Sequence, residues 1–175
     1  VPTPAIPVAD VTELVSLWWF AYDQGDFATL RELLHEEVRF SSRSDTGDAP
    51  YEESIRCELT GADAVVSWQS SHRMVSPFPI RHFATNVHIT GVEDGETRFS
   101  SYMFVTKNVN GAPKNLTSGI VSGSVVAGPR RPVLRSLEVV IDFMDALPRF
   151  PEGGETVLAG RPVSGTTANG NAGSA

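Results

Sequence analysis

Residues 80–90 read IRHFATNVHIT, and this stretch decides how the second half of the chain folds. Apolar or neutral side chains (Phe83, Thr85, Val87, Ile89) alternate with Ile80, His82, Ala84, Asn86, His88 and Thr90. A period of two belongs to a β-strand. Successive strand side chains point to opposite faces, so the pattern expects His82, Asn86 and His88 on one face. That face is either a polar stripe inside a cavity covered by helices or the solvated outside of a sheet.

Working outward, Glu93-Asp94-Gly95 reads as a hairpin turn, and the chain returns as a strand over 97–107. Asn110-Gly111 marks another turn, and two further strands are expected over 116–126 and 133–142, separated by Gly128-Pro129. Before Ser76-Pro77-Phe78-Pro79 the period is helical. Asp10 is placed to N-cap a helix with the stripe Val11, Leu14, Val15, Trp18 and Tyr22. Gly25 stops it, and Asp26 caps a short second helix carrying Phe27, Leu30, Leu33 and Leu34. Residues 38–42 read as a short strand and 43–54 (RSDTGDAPYEES) as a long turn-rich loop. Thr60 with Asp63 resembles a capping box opening a third helix to about Arg73, with Val65, Trp68 and His72 on its stripe. Three helices followed by a strand meander make an α+β plan in which helices cover one face of a curved sheet.

The apolar strand residues Phe99, Met103, Val105, Leu137, Val139 and Ile141 must be covered by something. Register decides whether they line a pocket or a dimer interface, and a strand pattern leaves register open.

Composition narrows the function classes. The chain has 175 residues, one cysteine and a formal charge of −7. One cysteine excludes an internal disulfide and any multi-cysteine zinc cluster. The acidic balance argues against nucleic acid as the main partner, and no apolar run is long enough to span a bilayer. The expectation is a soluble, cytoplasmic domain over 10–147, with a proline-rich arm over 1–9 and a glycine-rich flexible tail over 148–175.

Few side chains are left to carry chemistry. The four histidines (35, 72, 82 and 88) have no metal-ligand spacing, so neither a metal nor another cofactor is expected. Asp23 sits about 100° round the first helix from Tyr22, at the edge of the apolar stripe near Trp19. It is either an exposed last-turn carboxylate or a pocket group whose burial suits it to general-base work. Tyr102 shares a strand face with Ser100, Phe104 and Thr106, as a core tyrosine or a hydrogen-bond donor to substrate. His72 reads as half-buried structure. Cys57 and the scattered serines lack nucleophile context.

Two short motifs carry a family resemblance. Ala21-Tyr22-Asp23-Gln24-Gly25-Asp26-Phe27 resembles the end of the first helix of nuclear-transport-factor-2-like domains. Arg81-His82-Phe83-Ala84-Thr85-Asn86-Val87 resembles the SnoaL-like and scytalone dehydratase branches of that superfamily. The resemblance spans about residues 10–147. It implies a cone-shaped, curved mixed sheet wrapped with three helices around an apolar pocket, the cystatin-like α+β barrel.

The same resemblance implies that Asp23, His82 and Tyr22 meet in that pocket. The histidine would move a proton, the aspartate would fix its tautomer, and the tyrosine would polarise a carbonyl. Trp18, Trp19, Asn86 and Tyr102 are the implied substrate-binding residues. The second catalytic histidine of scytalone dehydratase has no counterpart, since Lys107 and Asn108 stand nearest. The superfamily also contains polyketide cyclases, ketosteroid isomerases, epoxide hydrolases and the non-catalytic β subunits of ring-hydroxylating dioxygenases.

Two functions follow as expectations. One is a cofactor-independent dehydratase or cyclase/isomerase acting on a polyketide-like or polycyclic small molecule. The other is a non-catalytic binding or accessory module. Both expect a homodimer paired through the outer face of the sheet.

Overall fold

The structure, a computed structural model, describes residues 5–143. The tail expected over 148–175 therefore lies outside the described residues.

The first helix, α1 (Val8–Gln24), buries Val11, Leu14, Val15, Trp18, Trp19 and Tyr22 on one side, as its 3.6-residue spacing requires. It starts two residues before Asp10, with Pro7 at the N-cap and no side-chain cap. Ile6 packs against the core, and its N–H donates to Thr97 Oγ1 at 2.8 Å, so part of the expected arm is tied to the sheet. Gly25 ends α1 in the left-handed region (φ 71°). There the N–H groups of Gly25 and Asp26 donate to Tyr22 and Ala21 carbonyls. Asp26 at once caps α2 (Phe27–Glu32), accepting the Thr29 N–H at 3.0 Å.

The next strand, β1 (Leu34–Ser44), is longer than its short apolar pattern suggests. Its outer part is polar (His35, Glu36, Glu37), and pairing with neighbours extends it. The expected long loop is broken by a one-turn helix, α3 (Glu52–Ile55), and followed by β2 (Cys57–Thr60). Four helices are thus present among the described residues, against an expected three, because a turn this short has no detectable period. Helix α4 (Ala62–Val75) has Gly61 at its N-cap with no side-chain cap. The Asp63 carboxylate takes Arg31 Nε at 2.8 Å, so no capping box forms.

Four strands complete the sheet: β3 (Ile80–Glu93), β4 (Glu96–Val109), β5 (Ala112–Val126) and β6 (Val133–Ile141). The order is β2-β1-β6-β5-β4-β3, antiparallel except for the parallel β1/β6 pair. The parallel pair makes the sheet mixed and brings the early strands beside the late meander. Helix α1 packs on β3 and α4 on β1, so the helices share one face of the sheet. Phe99, Met103, Val105, Leu137 and Val139 all point to that face and are buried.

Two register shifts interrupt the β3/β4 pairing, one after Thr85 and one after Ile89, and the first decides which face the second half of the strand presents. Thr85 pairs with Tyr102 and His88 with Ser100, so Asn86 and Val87 together oppose Ser101. Asn86 adopts φ 57°, a left-handed conformation that asparagine tolerates better than most residues. The extra residue makes a β-bulge and reverses the alternation. Ala84 before it packs against the core, as do Val87 and Ile89 after it, while Asn86 and His88 are exposed. The shared face expected for His82, Asn86 and His88 is therefore corrected: only His82 points inward.

Candidate active site

The last turn of α1 and the start of β3 meet at one carboxylate–imidazole pair. Asp23 is 4% exposed, and its two oxygens both serve His82. Oδ1 lies 2.6 Å from the ring Nδ1, and Oδ2 accepts the His82 backbone N–H at 2.7 Å. A carboxylate only accepts, so in the neutral imidazole the ring proton lies on Nδ1 and the lone pair on Nε2. The Trp19 indole stacks on one face of the ring at 4.5 Å and 4°. Between carboxylate and indole the imidazole has one orientation.

Arg73 fixes the helix end that carries Asp23. It is fully buried, and its Nε and one terminal nitrogen donate to the Asp23 backbone carbonyl at 3.2 and 2.9 Å. That carbonyl is among those left unpaired at the end of α1, and a guanidinium there also suits the helix dipole. A third bond to the Pro77 carbonyl (3.3 Å) and the Phe78 ring (3.5 Å from the guanidinium carbon) complete its surroundings.

Beside the pair opens a pocket of about 290 Å3. Its wall is mostly apolar, including Trp19, Phe40, Trp68, Met103, Val105 and Ile141. Its polar lining includes Tyr22, Gln69, His72 and His82, with hydroxyl residues such as Ser42, Ser76 and Thr117 elsewhere on the wall. No Lys, Arg, Asp or Glu lines it. Val139 and Ile141 face this pocket, as do Met103 and Val105, which answers the register question left by their sequence pattern.

Tyr22 and His72 form a second polar pair. The phenol oxygen lies 2.7 Å from His72 Nδ1, and the Tyr22 ring stands edge-on to His82 at 5.2 Å. Burial pushes the Tyr22 phenol up to about 12, with Asp23 contributing in the same direction. Burial, with His82 nearby, holds His72 below its ordinary value. Trp68, one turn earlier on α4, stacks on the His72 ring at 4.8 Å and 7°. The helix stripe marks His72 only as half-buried structure and does not single out Gln69. The available signal was a pair of polar residues next to Trp68 on an otherwise apolar face.

Three expected binding residues lie elsewhere. Trp18 is 1% exposed and packs in the core against Phe40 rather than lining the pocket. One helical step separates it from Trp19, and that step turns it away. Asn86 is carried outward by its own bulge. Tyr102 is 58% exposed on the outer face, because its strand neighbours Ser101 and Met103 are the inward ones. The described residues hold no cluster of three or more His, Cys, Asp or Glu placed for a metal ion. No helix among them is long and apolar enough to cross a membrane.

Comparison with known proteins agrees with this architecture. No curated protein matches the sequence. Among solved structures, the chain is similar to an NTF2-like protein with a cystatin-like fold from Novosphingobium aromaticivorans. Identity is 18% and TM-score 0.61, over 76% of this chain and 80% of that one. It is also similar to ActVI-ORFA from Streptomyces coelicolor (19%, TM-score 0.61, 76% and 95% covered). A third is a chain described as the beta subunit of an aromatic-ring-hydroxylating dioxygenase from N. aromaticivorans (13%, TM-score 0.62, 78% and 89% covered). At these identities the likeness bears on the fold. A family model for the SnoaL-like domain matches residues 7–127. The chain therefore belongs to the SnoaL-like domain family and has its nuclear-transport-factor-2-like, cystatin-like fold.

Proposed function

We propose that the protein is an acid/base enzyme, a dehydratase or a cyclase/isomerase, acting on an uncharged polyketide-like or polycyclic small molecule. The observation that carries this reading is the Asp23–His82 pair, 2.6 Å apart at the wall of an apolar pocket. A pocket near 300 Å3 is of the size that encloses small ligands. A lining without ionised side chains favours an uncharged guest, since burying an unpaired charge is costly.

In this reading His82 Nε2 removes a proton from a carbon beside a carbonyl. The C–H electron pair moves into an enolate, and Asp23 stabilises the imidazolium that forms. The enolate then expels a neighbouring hydroxyl, which leaves as water with the proton returned by His82. Alternatively it closes a ring or is reprotonated at another carbon.

Deuterium uptake next to the carbonyl of 1-tetralone and related bicyclic ketones, followed by NMR, isolates the first step. His82→Gln and Asp23→Asn should each slow it by about 10²- to 10⁴-fold. Retained exchange in both variants would overturn the assigned roles.

A second reading is an accessory subunit, favoured by the likeness to the dioxygenase beta subunit. Absence of catalysed exchange in the wild-type protein, with co-purification of an oxygenase catalytic chain, supports that reading instead. In either case two copies are proposed to pair through the outer face of β3, β4 and β5.

A further inference from the structure

Two imidazoles face one pocket, and their surroundings set them to opposite tautomers. His82 gives its Nδ1 proton to Asp23 and keeps Nε2 bare. His72 meets the Tyr22 hydroxyl at Nδ1 instead. Burial keeps both Tyr22 and His72 uncharged near neutral pH, the phenol because it is raised to about 12 and the imidazole because it is lowered. The phenol also contacts the Ser76 side chain, whose own proton goes to the His72 carbonyl, and since the phenol is a stronger acid than a neutral imidazole its O–H is assigned as the donor to His72 Nδ1. The one proton of the His72 ring then lies on Nε2. Neither Nε2 has a hydrogen-bond partner among the described residues. Both histidines line the pocket. One therefore presents a lone pair and the other an N–H.

We propose that His72 is a second catalytic residue: its Nε2–H donates a hydrogen bond to the substrate oxygen that becomes negative when His82 removes a proton from carbon. The inference rests on reading the pocket as an acid/base site. His72 transfers no proton. The C–H bond breaks, an N–H bond forms on His82, and the electron pair comes to rest on the oxygen facing His72. Giving up the Nε2 proton would require Tyr22 to become a phenolate, against its raised pKa. A neutral imidazole is therefore the electrophile, a role that a fixed donor fills without reorganising during the reaction. Tyr22 is a positioning residue, since its hydroxyl holds the His72 proton on the reacting side. Trp68 and the Ser76 hydroxyl, which donates to the His72 carbonyl at 2.8 Å, keep ring and backbone in place.

Two measurements that need no turnover test this. Long-range ¹⁵N–¹H spectra of the wild-type protein at neutral pH should show His72 as the Nε2–H tautomer and His82 as the Nδ1–H tautomer. A charged His72, or one carrying its proton on Nδ1, overturns the proposal. The second measurement uses 4-nitrophenol, whose neutral and anionic forms differ in colour. Relative to the neutral phenol, the wild-type pocket should hold the anion about tenfold better than the same apolar pocket without the His72 donor. His72→Leu should lose that advantage, and His82→Gln should keep it. Tyr22→Phe, which removes only the hydroxyl, should reduce it by letting the His72 proton redistribute. Anion binding weakened in His82→Gln but kept in His72→Leu places the anion on protonated His82 and overturns the proposal. So does anion binding unchanged in both His72→Leu and Tyr22→Phe. Failure here leaves the His82 exchange test standing, and failure of that test leaves these binding results intact, so the two readings fall separately.

Discussion

The Tyr22 hydroxyl illustrates how a side chain's role is settled by the partner it finds. Its family resemblance implies a carbonyl-polarising phenol, yet the oxygen is engaged by His72 at 2.7 Å. The pair gives stability a two-sided pH dependence. His72 is held below its ordinary 6.5, so below that pH the unfolded chain binds more protons than the folded one. Its contribution is complete above pH 6.5 and is lost as pH falls. Tyr22 has the opposite sign. Its pKa is raised from 10.0 to about 12, so its contribution is present below pH 10 and is lost between there and 12. Two pH units correspond to about 2–3 kcal/mol. Urea unfolding across the pH range should show Tyr22→Phe without its share of the alkaline loss and His72→Phe without its share of the acidic loss. Equal slopes in variant and wild type would contradict the assignment. Asp23 and His82 stood out at this scale from their residue types and helix or strand position. Trp18 did not, because neighbours on an apolar helix stripe look alike until the pocket's position is known.

Among the elements, β3 shows most clearly where a periodic pattern stops being sufficient. Alternation placed His82 correctly relative to Phe83, then failed after Thr85, because the bulge at Asn86 inserts a residue that pairs with nothing. Asn86→Val should destabilise the protein by about 1–2 kcal/mol, since a β-branched residue resists φ 57°. Asn86→Gly should be near neutral. Chemical denaturation measures both, and equal effects would show that the left-handed backbone is not the constraint. Helix α4 delivers Arg73, His72 and Gln69 to the site from one continuous stretch. Its spacing was visible, but its destination depends on how α1 ends. The Gly25-Asp26 stop, readable in the sequence, leaves the Asp23 carbonyl open for Arg73.

For the molecule as a whole, the sheet has an apolar outer patch. Phe83 and Phe104 stack at 4.5 Å while remaining 42% and 39% exposed, next to Tyr102 (58%) and Ile120 (42%). Cross-strand register puts these residues side by side on β3, β4 and β5. An apolar group of this kind is characteristic of a protein–protein contact. Light scattering at micromolar concentration should give a dimer, and Phe104→Glu should give a folded monomer. A monomeric wild type would contradict the pairing. The sequence by itself determined the helix-then-strand order, the Gly25 stop and the Asp94-Gly95 and Asn110-Gly111 turns. All of these depend on interactions within a few residues. Only the tertiary structure decided that His72 meets Tyr22 across 50 residues, and that Tyr102 and Asn86 face away from the pocket. Local periodicity fixes which side of its own element a residue occupies. Which sides then meet depends on strand register, on bulges such as the one at Asn86 and on chain closure between distant segments.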